Sequence, residues 1–379
     1  MKTIIIQRIF PDYRKAIFDK LHNTYGIKLF HGKNASGIHQ IETNYSTRIG
    51  LWQLSKKETL AFLFGFRKIF KSKPDVIIHE FTIGVPSLLI IRVMAWLMGA
   101  KFITWGHNIS LGRNFRPFSN LSDFYRYLIM KSSDAILFYS PNEMMHVTKY
   151  IQPEKLFVAY NALDTDSQRK NYDHIALKSR EEVKEELNID ATYNLIFISR
   201  LLPTKKTEQI IEIFSLLNEA IKEKTVVHII GDGPMFKPLQ ELIAAKGYEK
   251  HIILYGKITD PLTLGKLLYI SDFMVNPGYL GLSVNLSFAY GCPIITFDNP
   301  HMEQMHSPEV YYLKHNETGI IINNLDLSEL ANALSDALQK DKHLDMRQNC
   351  INTIYSEGSI NQMFGGFEKA LSFVSKNKI

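Results

Sequence analysis

The chain has 379 residues, of which 45% are hydrophobic and 22% are charged, and this balance is ordinary for a globular protein. Its length exceeds what one hydrophobic core usually supports, so we expect two domains. The formal net charge of +6 permits contact with phosphates or an anionic membrane surface, but it is too small to indicate nucleic acid as a partner.

The cysteine content and the N-terminus indicate a compartment. Cys292 and Cys350 are the only cysteines and lie far apart in the sequence, which fits neither a disulfide framework nor a metal motif. The first apolar run, residues 3–6, is too short for a signal peptide. We therefore expect a cytoplasmic protein, with the inner face of the plasma membrane as a further location.

The first half of the chain alternates short apolar runs with helix-like stretches. Such alternation indicates a parallel sheet with helices on both faces. The predicted strands are residues 3–6, 27–30, 76–79, 101–105, 135–139 and 156–160.

Two segments of this half raise the question of a membrane. Residues 81–99 are largely apolar, but Pro86 and Arg92 interrupt the run, so we predict a helix of about a dozen residues buried against the sheet rather than a bilayer span. Residues 60–66 are apolar and precede a basic stretch. That pattern suits a helix resting on anionic lipid and equally a solvated helix end. The basic residues are Arg67, Lys68, Lys71 and Lys73.

The second half repeats the alternation after a polar connection at residues 162–192, in which Ser179 opens a short helix. The predicted strands are residues 194–198, 226–230, 252–255, 273–276, 293–296 and 319–322, and the predicted helices are 208–221, 235–245, 261–269 and 327–338. A last helix, residues 359–378, returns to the first domain. We thus expect an N-terminal domain of residues 1–165 completed by 359–379, and a C-terminal domain of residues 166–358.

This organisation predicts where ligands bind. In open parallel sheets, ligands bind beyond the carboxyl ends of the strands. Two doubly wound, Rossmann-like sheets that face each other across a cleft would therefore each hold one ligand.

A basic turn follows the first predicted strand of the second domain. Arg200 and Lys205 lie five residues apart between a strand and a helix. Two cations at that spacing suit a diphosphate, because both charges can converge on one anion. A solvated basic loop is the equally simple alternative.

Two glycine-containing turns follow later strands. Gly231 and Gly233 belong to the GDGP turn at residues 231–234, where Phe236 occupies the position of the third glycine in a dinucleotide fingerprint. A tight turn near a nucleotide is therefore favoured over nicotinamide binding. Gly281, Leu282 and Ser283 open a helix whose N-terminus is suited to phosphate.

One histidine of the first domain is a further candidate. His107 follows Trp105-Gly106 at a strand's carboxyl end, where it could donate to a phosphate or a sugar hydroxyl. Asp164 and Asp166 form an Asp-x-Asp sequence, but they lie in the polar connection, so we predict no metal site there.

Together these motifs resemble the retaining family 4 glycosyltransferases of the GT-B fold (glycosyl transferases group 1), mainly over residues 194–338. The resemblance is carried by the "GRL…K" clamp at Ser199-Arg200-Leu201 with Lys205, the "GDGP" turn, the strand end Leu254-Tyr255-Gly256, Ser271-Asp272, and residues 160–166, which resemble "pNGvDt". In the first half, the sequence from Pro11 to Arg14 is similar to an "lp.YR" start.

The resemblance implies a transfer of sugar from a nucleotide-sugar donor to a saccharide or polyprenyl-linked acceptor, with retention and without a metal or cofactor. It implies that Arg200 and Lys205 neutralise the donor diphosphate, that His107 lies near the transferred sugar, and that the leaving phosphate helps to deprotonate the acceptor. The enzyme then supplies positioning and charge stabilisation. The other donor-binding residues implied are Gly231, Gly233, Gly256, Gly281, Leu282, Ser283 and Asn285.

The sequence also departs from the family. The usual pair of glutamates eight residues apart is missing: residues 277–282 contain no carboxylate, and Leu286 replaces the second glutamate. The ribose contact is then expected from Asn285 or is absent. A bacterial polysaccharide-assembly subgroup is similar over residues 289–305, including Asp298-Asn299 and Glu303-Gln304-Met305.

Two alternatives stay open. The missing glutamates suit a non-catalytic GT-B subunit that binds a nucleotide sugar or a partner enzyme, although the Arg200 and Lys205 pair argues against it. An epimerase on the same fold would need paired carboxylates and histidines, which the sequence does not assemble.

Overall fold

The computed structural model describes residues 1–33, 39–53, 60–110, 114–298 and 306–376. The chain forms two compact units: unit 1 contains Met1–Asp164 with Ile360–Ile379, and unit 2 contains Thr165–Ser359. Asn299 and the Glu303-Gln304-Met305 sequence lie outside the described residues.

Unit 1 is built on a seven-stranded parallel sheet. The unit has nine described strands, seven of them in this sheet: β1 (Thr3–Gln7), β2 (Lys28–His31), β3 (Ser46–Arg48), β4 (Leu51–Gln53), β5 (Ala61–Leu63), β6 (Val76–Glu80), β7 (Lys101–Trp105), β8 (Ala135–Phe138) and β9 (Leu156–Val158). The order is β3-β2-β1-β6-β7-β8-β9, and β4 pairs with β5 in a separate antiparallel hairpin. All six predicted strands are present. The three that were missed, β3, β4 and β5, have three residues each, and β3 and β4 contain polar residues and are not buried, so no apolar run marks them.

Helices cover both faces of this sheet. They are α1 (Lys15–Tyr25), α2 (Phe66–Ser72), α3 (Ser87–Leu97), α4 (Leu121–Ser132) and α5 (Pro141–Met145), with α15 (Ile360–Lys376) from the end of the chain. Helices α1 and α15 share one hydrophobic core, while α2, α3 and α4 share a second. The strands between the two layers are buried on both sides, which explains their continuous apolar sequences.

Unit 2 has a six-stranded parallel sheet. Its strands are β10 (Tyr193–Ile198), β11 (Thr225–Ile230), β12 (Ile252–Gly256), β13 (Phe273–Asn276), β14 (Ile294–Phe297) and β15 (Gly319–Ile322). The order β12-β11-β10-β13-β14-β15 is that of a doubly wound nucleotide-binding sheet, with its topological switch point between β10 and β13. The prediction of two doubly wound parallel sheets is confirmed.

The helices of unit 2 correct two predictions. They are α6 (Thr165–Ile175), α7 (Arg180–Glu186), α8 (Glu208–Leu216), α9 (Glu219–Lys222), α10 (Phe236–Ala245), α11 (Pro261–Ile270), α12 (Ser283–Ala289), α13 (Leu327–Gln339) and α14 (Lys342–Ser356). The predicted polar connection contains α6, which packs against α11 and α12. The predicted helix 208–221 is two helices, because Asn218 accepts from the Ala220 N–H and starts α9.

Candidate functional site

Three loops of unit 2 meet at the carboxyl edge of its sheet, at the switch point. They follow β10 (residues 199–206), β11 (231–234) and β13 (277–282). The sheet order places β10 between the other two strands. Two of these loops therefore flank the crevice in which such sheets bind ligands.

Two glycines allow the loops to pack on one another. A Cβ at Gly231 would lie 1.8 Å from the carbonyl oxygen of Ser199, and its φ of +147° also favours glycine. A Cβ at Gly278 would lie 2.5 Å from the carbonyl oxygen of Lys205. The backbones of the second and third loops thus lie directly against the first loop and fix its shape.

Lys205 is held inside this arrangement. Its side chain is only 8% exposed, its Nζ donates to the Tyr279 carbonyl at 3.0 Å, and the same Nζ lies 3.3 Å from the centre of the Tyr279 ring. Burial, reinforced by the charge of Arg200, lowers the pKa of Lys205 to about 8 although Glu309 opposes the shift. Among the described residues, Lys205 has no carboxylate within ion-pair distance.

Arg200 lies on the exposed side of the same loop. Its charge acts on Lys205, so the structure brings together the two cations that the sequence singled out. Lys205, one of these two neighbouring cations, is buried without an ion-pair partner in the described part of the chain. The positive charge of the pair is therefore not fully balanced. A phosphate group is an anion that would compensate both.

His306 supports the third loop and was missed by the sequence analysis. Its Nδ1 accepts from the Leu280 N–H at 2.9 Å, and its Nε2 donates to the Phe297 carbonyl at 3.1 Å. Burial lowers the pKa of His306, which favours the neutral ring that these two bonds require. His306 directly follows the Glu303-Gln304-Met305 sequence, but no sequence pattern indicated that it supports the third loop.

The remaining donor-binding candidates lie at or near the carboxyl edge of the unit 2 sheet. The Gly256 carbonyl accepts from the Gly231 N–H at 2.9 Å, and Gly233 has a φ of +154°. Gly281 and Leu282 precede α12, and Ser283 is its first residue. Their proposed roles stay predictions.

Asn285 requires a correction. It is fully buried, and its Nδ2 donates to the Gly358 carbonyl at 3.3 Å. Because α12 packs on α14, Asn285 faces the interior and links α12 to the chain segment after α14. The expected ribose contact from this side chain is wrong for that reason.

The carboxyl edge of the unit 1 sheet carries the other candidate. His107 is partly exposed, and its Nδ1 lies 2.7 Å from a carboxylate oxygen of Glu143, which is almost completely buried. Glu143 also accepts from the Tyr139 N–H at 3.1 Å. The Nδ1–H of His107 is therefore the donor to this carboxylate, and a neutral ring has its lone pair on Nε2. His107 was a candidate from its place in the sequence, whereas no sequence pattern marked Glu143.

Two arginines lie at the same edge of unit 1. Arg14 is buried, donates to the Tyr139 hydroxyl at 2.6 Å, and lies 4.3 Å from the ring centre of Trp105. Arg8 forms an ion pair with Glu80 at 3.0 Å. Burial raises the pKa of Glu80, but Arg8 and Arg14 outweigh it and hold this pKa below its usual value. A charged network thus occupies the strand ends next to His107.

The described part of the chain contains neither a candidate metal site nor a candidate membrane span. No group of three or more His, Cys, Asp or Glu residues there is placed to hold a metal ion. Asp166 lies in the first turn of α6. No described helix is both long and apolar enough to cross a membrane.

Two family models match the chain, one in each half. The model of the glycosyl transferases group 1 matches residues 179–357, and that of glycosyltransferase family 4 matches residues 32–167. No curated protein matches the sequence.

Several solved structures share the fold. Anabaena Alr3699/HepE in complex with UDP has a TM-score of 0.70 at 13% identity, covering 98% of this chain and 100% of that one. A glycosyltransferase from Rickettsia africae ESF-5 has a TM-score of 0.69 at 17% identity, with 98% of each chain covered. The apo lipopolysaccharide outer core galactosyltransferase WaaB has a TM-score of 0.65 at 14% identity, covering 98% and 99%. At these identities the likeness shows the GT-B fold alone.

Proposed function

The chain belongs to the glycosyltransferases that the group 1 and family 4 models describe, and on this premise we propose that it transfers a sugar from a nucleotide-diphosphate donor to a saccharide or polyprenyl-linked acceptor. We further propose that transfer proceeds with retention and without a metal or cofactor. The pathway would be cell-surface polysaccharide biosynthesis in bacteria, at the cytoplasmic face of the membrane. HepE, which has this fold, was crystallised with UDP and with UDP-glucose.

The observation that carries the proposal is the placement of Lys205. A buried ammonium whose pKa is lowered to about 8, beside Arg200 and at the switch point of a doubly wound sheet, is suited to bind the donor diphosphate. Both cations would also stabilise the negative charge that grows on the leaving nucleotide. This chemistry needs no nucleophile on the protein.

The role proposed for His107 is positioning. With Nδ1 bound to Glu143, the ring is fixed and its Nε2 remains for a sugar hydroxyl or a phosphate oxygen. Glu143 would act through His107 by holding the ring in place. The leaving phosphate, rather than His107, would help to remove the acceptor proton.

A second candidate is the non-catalytic subunit. The absence of carboxylates from residues 277–282 and the burial of Asn285 favour it, because the usual glutamate contacts of the family have no replacement in that loop or at Asn285. Nucleotide binding would then occur without transfer.

Ligand-dependent thermal stability tests the proposal. We expect one of UDP, GDP or ADP, at about 100 times its Kd, to raise the melting temperature by roughly 5 to 10 °C. The matching nucleotide sugar should then be consumed, and His107→Ala should slow consumption while keeping the thermal shift. A shift without turnover on a broad acceptor panel would favour the non-catalytic subunit. No shift with any nucleotide would contradict donor binding.

The lowered pKa of Lys205 predicts a pH dependence. The free protein loses this charge above about pH 8, whereas bound diphosphate favours the charged form and raises the pKa in the complex. Nucleotide affinity is therefore highest below pH 8 and falls as the pH rises, by up to about tenfold per pH unit. Isothermal titration between pH 7 and 9.5 measures this decline. Lys205→Arg, which stays charged, corrects for titration of the ligand, and parallel profiles of the two proteins would contradict the prediction.

A further inference from the structure

The outer face of α3 is entirely apolar. Five residues of this helix are exposed, and each is large and hydrophobic: Leu89, Ile90, Val93, Trp96 and Leu97. Trp96 is 71% exposed and Leu97 is 67% exposed. The exposed stripe of a helix in a globular protein normally carries polar side chains. This exposure corrects the expectation of a buried helix over this apolar segment.

Helix α4 continues the pattern. Leu121, Phe124 and Leu128 form its exposed apolar stripe, and Phe118 in the preceding turn is exposed as well. Leu121 is 88% exposed. Their spacing of three and four residues puts them on one side of the helix, and the stripe ends at the exposed Lys131.

The two stripes belong to one surface. The Nε of Arg92 on α3 donates to the Ser132 carbonyl at the end of α4 at 3.0 Å. On their inner sides, Leu88 and Ile91 of α3 share a core with Ile129 of α4. The helices therefore lie in one layer on one side of the unit 1 sheet, and we refer to their exposed residues as the α3–α4 face.

The two units differ in formal charge, and the unit that carries the α3–α4 face is the positive one. Unit 1 contains 25 Lys and Arg against 12 Asp and Glu, a formal +13, while unit 2 contains 19 against 26, a formal −7. Helix α2 shares the core of α3 and α4 through Ile69. It also carries exposed Arg67, Lys68 and Lys71. The modest net charge of the whole chain conceals this separation.

We propose that the α3–α4 face binds a bilayer that contains anionic lipid, with the apolar side chains at the level of the headgroups and acyl chains and the basic residues of α2 on lipid phosphates. An apolar face combined with basic charge is the chemistry of an interfacial membrane anchor. A second copy of the chain fits less well, because two units of formal +13 repel each other. This inference builds on the membrane location in the proposed function, but its test uses no sugar nucleotide.

Vesicle binding tests the proposal. We expect the protein to sediment with phosphatidylcholine vesicles that contain about one third phosphatidylglycerol, and to bind pure phosphatidylcholine more weakly. The double substitution Trp96→Glu and Leu97→Glu should weaken binding at least about tenfold. Leu177→Glu is the matched control, because Leu177 is 81% exposed on unit 2, and it should bind like the wild type. Unchanged thermal melting shows that each variant is folded.

Tryptophan fluorescence supplies a second measurement. The three tryptophans, Trp52, Trp96 and Trp105, all lie in unit 1, and Trp105 is buried whereas the other two are exposed. In a Trp52→Phe background, anionic vesicles should shift the emission to shorter wavelength as Trp96 leaves water.

Several outcomes would overturn the proposal. One is that the wild type and the double variant sediment equally with anionic vesicles, and another is that vesicles leave the Trp96 emission unchanged. A third is that the wild type forms a dimer without vesicles and the double substitution abolishes it, which would make the face an interface between copies. The nucleotide-induced thermal shift is recorded separately. Loss of that shift with intact vesicle binding would count against the proposed function alone.

Discussion

Lys205→Ala should weaken nucleotide-diphosphate binding by about 2 to 3 kcal/mol, or roughly 30- to 150-fold in Kd. Lys205 is buried without a carboxylate partner among the described residues, so a bound phosphate would supply its counter-charge in a poorly solvated place. Arg200→Ala should have a smaller effect, because Arg200 is exposed and its interaction is screened by water. Isothermal titration with the nucleotide that stabilises the wild type measures both losses.

Controls separate this effect from unfolding. Lys237→Ala removes the same charge from an exposed position on α10 and should leave Kd unchanged. Lys205→Met should lose binding but keep or increase the stability of the free protein, because burial of the charged amine disfavours folding. Because the pKa of Lys205 is lower in the folded protein than in the unfolded chain, the folded state binds a proton at this lysine less readily. The free-energy cost of the buried charge is therefore fully present below pH 8 and disappears as the pH rises to the pKa of the unfolded lysine. Binding by Lys205→Ala equal to that of Lys237→Ala would refute a diphosphate site at Lys205.

Asp272→Ala should destabilise unit 2 by about 3 to 5 kcal/mol. The carboxylate of Asp272 is buried and pairs with Arg180 of α7. It also lies 3.2 Å from Nε2 of His343 of α14, and it accepts from the Asn194 N–H of β10 at 2.7 Å. Its removal leaves a guanidinium and two further polar groups without their acceptor in the interior. Denaturant-dependent hydrogen exchange of β10 and β13 amides measures the free energy of unfolding of unit 2.

The matched control for Asp272 is an exposed carboxylate of the same unit. Asp336 on α13 pairs with Lys340 and Lys342 at the surface, where such pairs contribute less than about 1 kcal/mol. Asp336→Ala should therefore have little effect on the exchange of β10 and β13. A similar small loss for Asp272→Ala would show that the buried cluster does not hold these elements together.

Prediction from sequence succeeded where local pattern and structure coincide. Buried parallel strands require continuous apolar runs, so each long strand was visible in the sequence, and the loops after β10 and β11 were marked by cations and glycines at strand ends. The spacing of Arg200 and Lys205 in the turn after β10 was also visible in the sequence, and their role in diphosphate binding stays a prediction. Helix α6 was missed because its sequence is polar, and its position comes from packing on α11 and α12.

The sequence alone determined the two doubly wound sheets and the basic turn at Arg200 and Lys205, because both depend on residues close together in the chain. Tertiary structure alone decided the contacts of His306, Glu143 and Asn285, since their partners come from other segments of the chain. It also decided which side of α3 is exposed, because the only polar residues of this helix, Ser87 and Arg92, form no stripe from which its orientation could be read. Burial and exposure of such residues depend on which other elements pack against them, and that information lies outside any local stretch of sequence.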